Sequence, residues 1–285
     1  MKICNLFLFL FNYIKFIEIR VFNIIMKNVD LKWDAKFYQK HSPVQYELGL
    51  QTLEKLHPRN NEEILEIGCG NGVLTSLLAK RVPYGKIVAL ESSKEMAQQA
   101  QENLKNHGIS NVKVVNTDAI KMNYENQFDA VFSNSTIHWI RKQEILYELI
   151  YKSLKNDGRI MIQTGLKKIS AYSQALINVG IEFKDQLKNF KPPWRFLTKK
   201  ETEKILIEAK FKEISVEVYP YIVEFESDTD LINYFKAAGF VPFAAVLPKS
   251  LHDEFIQRYK TLLFEINQPN PLQLKLDRLF ISAKK

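Results

Sequence analysis

From Met26 onward the apolar positions fall into two alternating kinds of run, short continuous or period-two stretches and longer stretches spaced by three and four. Ser42-Pro43 followed by Tyr46, Leu48, Leu50, Leu53 and Leu56 predicts a capped helix that ends near His57-Pro58. The short runs predict strands at Glu63–Ile67, Lys86–Glu91, Val112–Asn116, Phe128–Ser133 and Arg159–Thr164. Helical spacing fills the gaps near Val73–Arg81, Lys94–Asn106 and Gln143–Leu154, which are the crossovers that adjacent parallel strands require. This alternation indicates an α/β protein built on a parallel sheet.

Past Thr164 the rhythm changes. Ile169–Leu187 reads as helical, and Thr198-Lys-Lys-Glu201 is a capping-box pattern opening a helix to about Lys210. Ile214–Phe225 alternates as one strand, Asp228–Ala238 and Lys249–Glu265 read as helices, and Leu274–Ala283 closes the chain as a last strand. The expected layout is a five-strand parallel core with an antiparallel finish. Helical insertions after the fifth and sixth strands belong over the carboxyl ends of the strands, the edge where such sheets bind ligands.

Ahead of this pattern lies Ile3 to Ile14, an uncharged run rich in Phe, Leu and Ile that Lys15, Glu18 and Arg20 interrupt. It is shorter than the roughly 20 residues a membrane span needs, and no small-residue cleavage site follows it. Residues 1–26 are expected to be an extension upstream of a start at Met26, with an interfacial anchor or a packing helix as alternatives. Residues 27–285 are expected to form the functional domain. Two cysteines, Cys4 and Cys69, lie too far apart in sequence to suggest a staple, and a reducing, cytoplasmic setting is expected. A formal charge of +8 would permit nucleic-acid binding. Half of the excess sits between Lys188 and Glu213, where eight Lys or Arg face four Glu, as an anion-attracting rim or a solvated helix face.

Chemistry concentrates in Ile64-Leu65-Glu66-Ile67-Gly68-Cys69-Gly70-Asn71-Gly72-Val73-Leu74, an apolar strand entering a glycine-rich turn and then a helix. Glycines serve there because the backbone turns sharply and admits a ligand at contact distance. A dinucleotide fingerprint would place its third glycine where Val73 stands, and Glu66 would lie beside the pyrophosphate as an unfavourable like charge. A ligand with an ammonium group and no phosphate removes the conflict, and S-adenosylmethionine is one. Ile87-Val88-Ala89-Leu90-Glu91 ends a second strand in a carboxylate suited to ribose hydroxyls, and Asp118 after the third strand can accept from an adenine amino group.

With these motifs the chain resembles the class I S-adenosylmethionine-dependent methyltransferases from about Leu31 to Lys284. Trp33-Asp34-Ala35-Lys36-Phe37-Tyr38, Ser133-Asn134-Ser135-Thr136-Ile137-His138-Trp139-Ile140 and Pro193-Trp194-Arg195-Phe196 further resemble the trans-aconitate, malonyl acyl-carrier-protein and juvenile-hormone-acid methyltransferases, which act on carboxylates. The resemblance implies a Rossmann-like, seven-strand, mostly parallel sheet flanked by helices, with a helical cap from residues 166–190 and 227–268. It implies that Glu66, Gly68, Gly70 and Gly72 hold the methionine part of the cofactor, Glu91 the ribose, and Asp118 with Ala119 the adenine. Asn134 would face the sulfonium, and Tyr38 and Gln45 would close the pocket. Glu66 departs from the aspartate common at that position, keeping the charge and lengthening the reach.

Methyl transfer to a carboxylate is an in-line displacement by a group already nucleophilic at neutral pH, so positioning and desolvation suffice. His138 and Trp139, after the fourth strand, are the candidate catalytic residues: Trp139 as a pocket wall, His138 as a donor to the acceptor. The competing reading makes Trp139 a packing residue and His138 a satisfied polar one. Arg195, with Lys191 and Lys199, either pairs with a polycarboxylate or belongs to a solvated cluster. Tyr234, Phe235, Phe240 and Phe243 are candidates for an apolar lid or for ordinary core. His41, His57, His107 and His252 lack metal-ligand spacing, and no metal is expected. The expected partner is a small-molecule carboxylate, with no nucleic acid, no stable membrane insertion, and a monomeric or homodimeric state. The alternatives are a nucleic-acid or other non-carboxylate acceptor, for which Ser135 and Thr136 stand where a proline and an aromatic would be expected, or a non-catalytic cofactor-binding member.

Overall fold

A computed structural model describes residues 31–285. The expectations for residues 1–26 and for Cys4 lie outside the described residues. Two helices open the described chain: α1 (Ala35–His41), whose first turn is capped by the Asp34 carboxylate accepting from Phe37 N at 2.9 Å, and α2 (Pro43–Leu56), which starts on a proline and stops where His57 turns left-handed.

The sheet then assembles from β1 (Glu63–Ile67), β2 (Lys86–Glu91), β3 (Val112–Asn116), β4 (Phe128–Asn134) and β5 (Leu154–Gly165), with α3 (Val73–Arg81), α4 (Lys94–Asn106) and α5 (Gln143–Ser153) as crossovers. After β5 come α6 (Ala171–Glu182), α7 (Lys199–Glu208), β6 (Lys212–Tyr219), β7 (Ile222–Glu224), α8 (Asp228–Ala237), α9 (Val241–Ala244), α10 (His252–Ile266), β8 (Gln273–Lys275) and β9 (Arg278–Lys284). The seven-stranded sheet runs β3-β2-β1-β4-β5-β9-β6, with β1 to β5 parallel and β9 antiparallel to both its neighbours. This is the Rossmann-like sheet expected. The order reverses between β1 and β4, so a crevice opens at the carboxyl ends of these strands.

Three expectations need correction. Neither Ile214–Phe225 nor Leu274–Ala283 is one strand. Pro220, which has no N–H to donate, ends β6, and the chain bends again at Leu276-Asp277. The segments beyond these bends pair with each other, β7 against β8, as a separate two-stranded ribbon. The helix read over Ile169–Leu187 is shorter, opening on a capping box between Ser170 and Ser173, while the predicted Thr198 and Glu201 box does open α7.

One hydrophobic cluster on a face of the sheet takes in Leu48, Leu53 and Leu56 of α2, Phe132 and Phe280, and continues into Phe235, Phe255 and Tyr259 of the helices after β5. The other face is covered by Leu146, Tyr147 and Ile150 of α5 and Ile205 and Leu206 of α7. Tyr234, Phe235, Phe240 and Phe243, weighed as a lid or as core, are all buried. Among the described residues no helix is long and apolar enough to cross a membrane.

Candidate active site

The glycine loop leaves β1 and is drawn across to β2. Gly68 N and Cys69 N both donate to Leu90 O, at 2.8 and 3.1 Å, and Gly70 N donates to the Glu91 carboxylate at 3.0 Å. Gly68, Gly70 and Gly72 all have positive φ, the region only glycine enters without strain. Their surroundings differ. A Cβ on Gly68 would lie 2.2 Å from the Thr136 side chain, so this glycine is required by packing against the loop after β4. At Gly70 a Cβ would meet nothing within 4 Å, which leaves the backbone there open to a ligand. A side chain at Gly68 would displace Thr136 before it met any ligand.

Two carboxylates flank this loop. Glu66 is 2% exposed, and its Oε2 has no hydrogen-bond partner. Burial pushes its pKa up to about 7 against the opposing Thr75 hydroxyl, and the neighbouring Glu91 charge adds to the rise. Glu91 is raised in the same direction by burial, but backbone N–H groups oppose it: Ser93 N donates to Oε1 at 2.8 Å and Gly70 N to Oε2. A cation placed by the loop would satisfy the Glu66 oxygen that the protein leaves bare. At the end of β3, Asp118 accepts from Ile120 N at 3.1 Å and so shapes the single turn carrying the buried Ala119. Asn116 Nδ2 donates to Glu91 O at 2.8 Å, lacing the ends of β2 and β3 together.

Asn134 closes β4. Its Nδ2 donates to Gln45 O at 2.9 Å, so the side chain fastens α2 over the strand end. Gln45 Oε1 is buried without a partner. Tyr38, on α1, has its pKa raised by burial first and then by the charges of Tyr234 and Glu91. Asn71 Nδ2 reaches Gln39 Oε1 at 3.4 Å, tying α1 to the glycine loop.

His138 is buried, with Nδ1 2.9 Å from Thr164 Oγ1 and its ring stacked 4.8 Å from Phe196. Burial, helped by the Arg278 charge, drives its pKa down to about 3, so the imidazole stays neutral. Trp139 meets Trp33 and Trp194 edge-on at 5.4 and 5.9 Å, forming one aromatic wall from three separate segments. Arg195 turns elsewhere: its guanidinium grips Glu144 with two bonds of 2.7 Å. Lys199–Glu203 and Lys204–Glu208 are also paired, and Glu201 takes Lys167, so part of the basic stretch is engaged in ion pairs at the surface.

A family model described as a methyltransferase domain matches residues 58–210, more than half of the chain. The chain belongs to that family. It is a class I S-adenosylmethionine-dependent methyltransferase, and S-adenosylmethionine is its cofactor. Among relatives, a malonyl-[acyl-carrier protein] O-methyltransferase of Priestia megaterium is 28% identical over 67% of this chain and 74% of its own length. A trans-aconitate 2-methyltransferase of an Enterobacter species is 21% identical over 89% of this chain and 98% of its own. The fold is shared with the YcgJ protein of Bacillus subtilis, with a TM-score of 0.58, 16% identity, and coverage of 84% of this chain and 98% of that one. It is shared too with a Haemonchus contortus phosphoethanolamine N-methyltransferase 2 solved with S-adenosyl-L-methionine, at a TM-score of 0.57, 21% identity, and coverage of 84% and 52%.

Sequence reasoning passed over Arg278. It opens β9, is 8% exposed, and its Nε has no partner. A charged residue at the head of an otherwise apolar strand is the one signal that marked it.

Proposed function

We propose that this methyltransferase acts on a carboxylate oxygen of a small cytoplasmic acid or acyl thioester. The observation that carries this reading is the state of His138: an imidazole with a pKa near 3, its Nδ1 engaged by Thr164, is a poor base at neutral pH. An alcohol or ammonium acceptor would need a proton removed, whereas a carboxylate arrives ready to attack. The relatives named for malonyl-[acyl-carrier protein] and trans-aconitate point the same way.

In this reading Glu66, with Gly68, Gly70 and Gly72, holds the amino-acid end of the cofactor, the ammonium meeting the bare Glu66 oxygen. Glu91 takes the ribose hydroxyls on lone pairs not used by Gly70 N and Ser93 N, and Asp118 with Ala119 takes the adenine. Asn134 holds α2 over the sulfonium position, with Tyr38 and Gln45 on that wall. Residues 166–190 and 227–268 form a cap that excludes water from the acceptor. When bound, the cofactor supplies an electrophilic methyl: the acceptor oxygen forms the new bond as the carbon–sulfur bond breaks, and no proton moves. Trp139 and its aromatic neighbours desolvate the attacking oxygen, and His138 donates from neutral imidazole or simply supports that wall.

The test is incubation with methyl-labelled cofactor and a panel of carboxylic acids, followed by alkaline hydrolysis. Methyl esters release their label at high pH. Label that resists hydrolysis would identify a hydroxyl, nitrogen or carbon acceptor and end the carboxylate reading.

A further inference from the structure

Arg278 is a guanidinium withdrawn from water, 8% exposed, with no carboxylate within salt-bridge distance among the described residues. Neighbouring Asp277, the acid closest in sequence, is taken by Lys168. Buried charges are normally paired, because desolvation of a lone ion is costly. Its Nε is buried and bare, and the Tyr234 phenol is the one hydrogen-bonding neighbour of the guanidinium among the described residues.

The surroundings are built from phenols. Tyr38, Tyr172 and Tyr234 are raised in pKa chiefly by burial, and for each of them the Arg278 charge pulls the other way, so all three rings stand within its field. Tyr234 also lies beside the Gln45 amide, whose Oε1 is bare as well. Residues from α1, α2, α6, α8 and β9 thus converge on one cation, and Arg278 Nε and Gln45 Oε1 there are both left without a partner. Arg278 pairs in register with Gly165, the last residue of β5, and a Cβ on Gly165 would lie 3.5 Å from its Nη1. It therefore stands at the same sheet edge as Asn134 and the glycine loop.

We propose that Arg278 binds a second, non-reacting carboxylate of the acceptor, so that the substrate is a free dicarboxylic or tricarboxylic acid; this rests on the carboxylate reading above. Two arguments separate the anchored group from the reacting one. A carboxylate held in the planar fork of an arginine has its charge neutralised and is a poor nucleophile. Spacing gives the second: β9 lies two strands from β4, about 10 Å across the sheet. An attacking oxygen must come to about 3 Å from the methyl carbon, on the β1 and β4 side. A short carbon chain bridges the two positions. An acyl thioester with a single free carboxylate would leave the guanidinium unpaired.

The full chain is assayed with four- to six-carbon di- and tricarboxylic acids and with their half-amides, alongside Arg278→Gln and Arg278→Lys variants whose S-adenosylhomocysteine affinity reports an intact fold. The expected result is methylation of diacids at kcat/KM about 30- to 1,000-fold above the half-amides. Arg278→Gln erases that ratio through KM, Arg278→Lys restores part of it, and both bind S-adenosylhomocysteine as the wild type does. Half-amides or monoacids that serve as well as diacids, or a ratio unchanged in Arg278→Gln, overturn the assignment while leaving carboxyl methylation standing. A protein that binds S-adenosylhomocysteine but methylates no acid on the panel overturns both.

Discussion

Glu66→Gln separates what the site does for the cofactor from what it costs the fold. In the empty protein the carboxylate is buried beside Glu91 with one oxygen bare, and its pKa sits at about 7. A raised acid contributes its stability below the unfolded pKa, and that contribution disappears as pH climbs through the folded value. Between an ordinary pKa of 4.5 and about 7 the loss reaches roughly 3 kcal/mol by pH 8. Glutamine keeps the shape and removes the charge beside the Thr75 hydroxyl. The empty variant should therefore match the wild type near pH 5 and exceed it at pH 8 by about 1–3 kcal/mol, a Tm gain of roughly 3–10 °C for a domain of this size. Cofactor binding should move the opposite way, because the ammonium loses its buried counter-ion: about 30- to 1,000-fold weaker binding of S-adenosylhomocysteine at pH 8. Melting curves at pH 5, 6.5 and 8, with calorimetric titration at pH 8, read both effects. A Tm difference that does not vary with pH, or an affinity within threefold of the wild type, would refute the argument.

Other consequences follow from the same geometry. Wild-type affinity for S-adenosylhomocysteine should fall about tenfold per pH unit below pH 7, as Glu66 takes up a proton, and be flat between pH 7.5 and 8.5; titration across that range checks it. Gly68→Val should lower stability by more than about 3 kcal/mol in denaturant melts, because its side chain collides with Thr136, whereas Gly70→Ala should stay folded and lose cofactor affinity. Arg195→Ala should change stability by less than about 1 kcal/mol and leave methyl transfer intact, since it breaks only the partly exposed pair with Glu144. His138, held neutral, favours the folded state above its unfolded pKa and withdraws that support as pH falls from about 6.5 towards 3; His138→Gln should lose less Tm than the wild type between pH 7 and 4.

The parallel half of the sheet was legible because each strand is a short apolar run closed by turn residues. Glu63–Ile67, Lys86–Glu91 and Val112–Asn116 have the bounds the pattern predicts. Helix α1 was not read, because seven residues, two turns, are too few to set a period. The ribbon of β7 and β8 escaped because its partners lie about fifty residues apart, and local alternation says nothing about which sheet a strand joins. At the site, the glycine loop and both acids follow from covalent spacing. Arg195 and Arg278 show the limit: both are arginines near strand or helix ends, and only tertiary packing gives one an acid partner and buries the other with none among the described residues.

The match to the methyltransferase family spans residues 58–210, and this boundary falls along a seam of the molecule. The glycine loop, Glu91, Asp118 and Asn134 lie within it, while Tyr38, Gln45, Tyr172's neighbour Tyr234 and Arg278 lie outside it, contributed by the two ends of the chain. Inheritance can therefore hold the first group fixed and let the second drift. Grafting residues 35–50 and 222–278 from a relative would exchange the phenol-lined end and leave the glycine loop untouched, which makes this scaffold a natural host for chimeras.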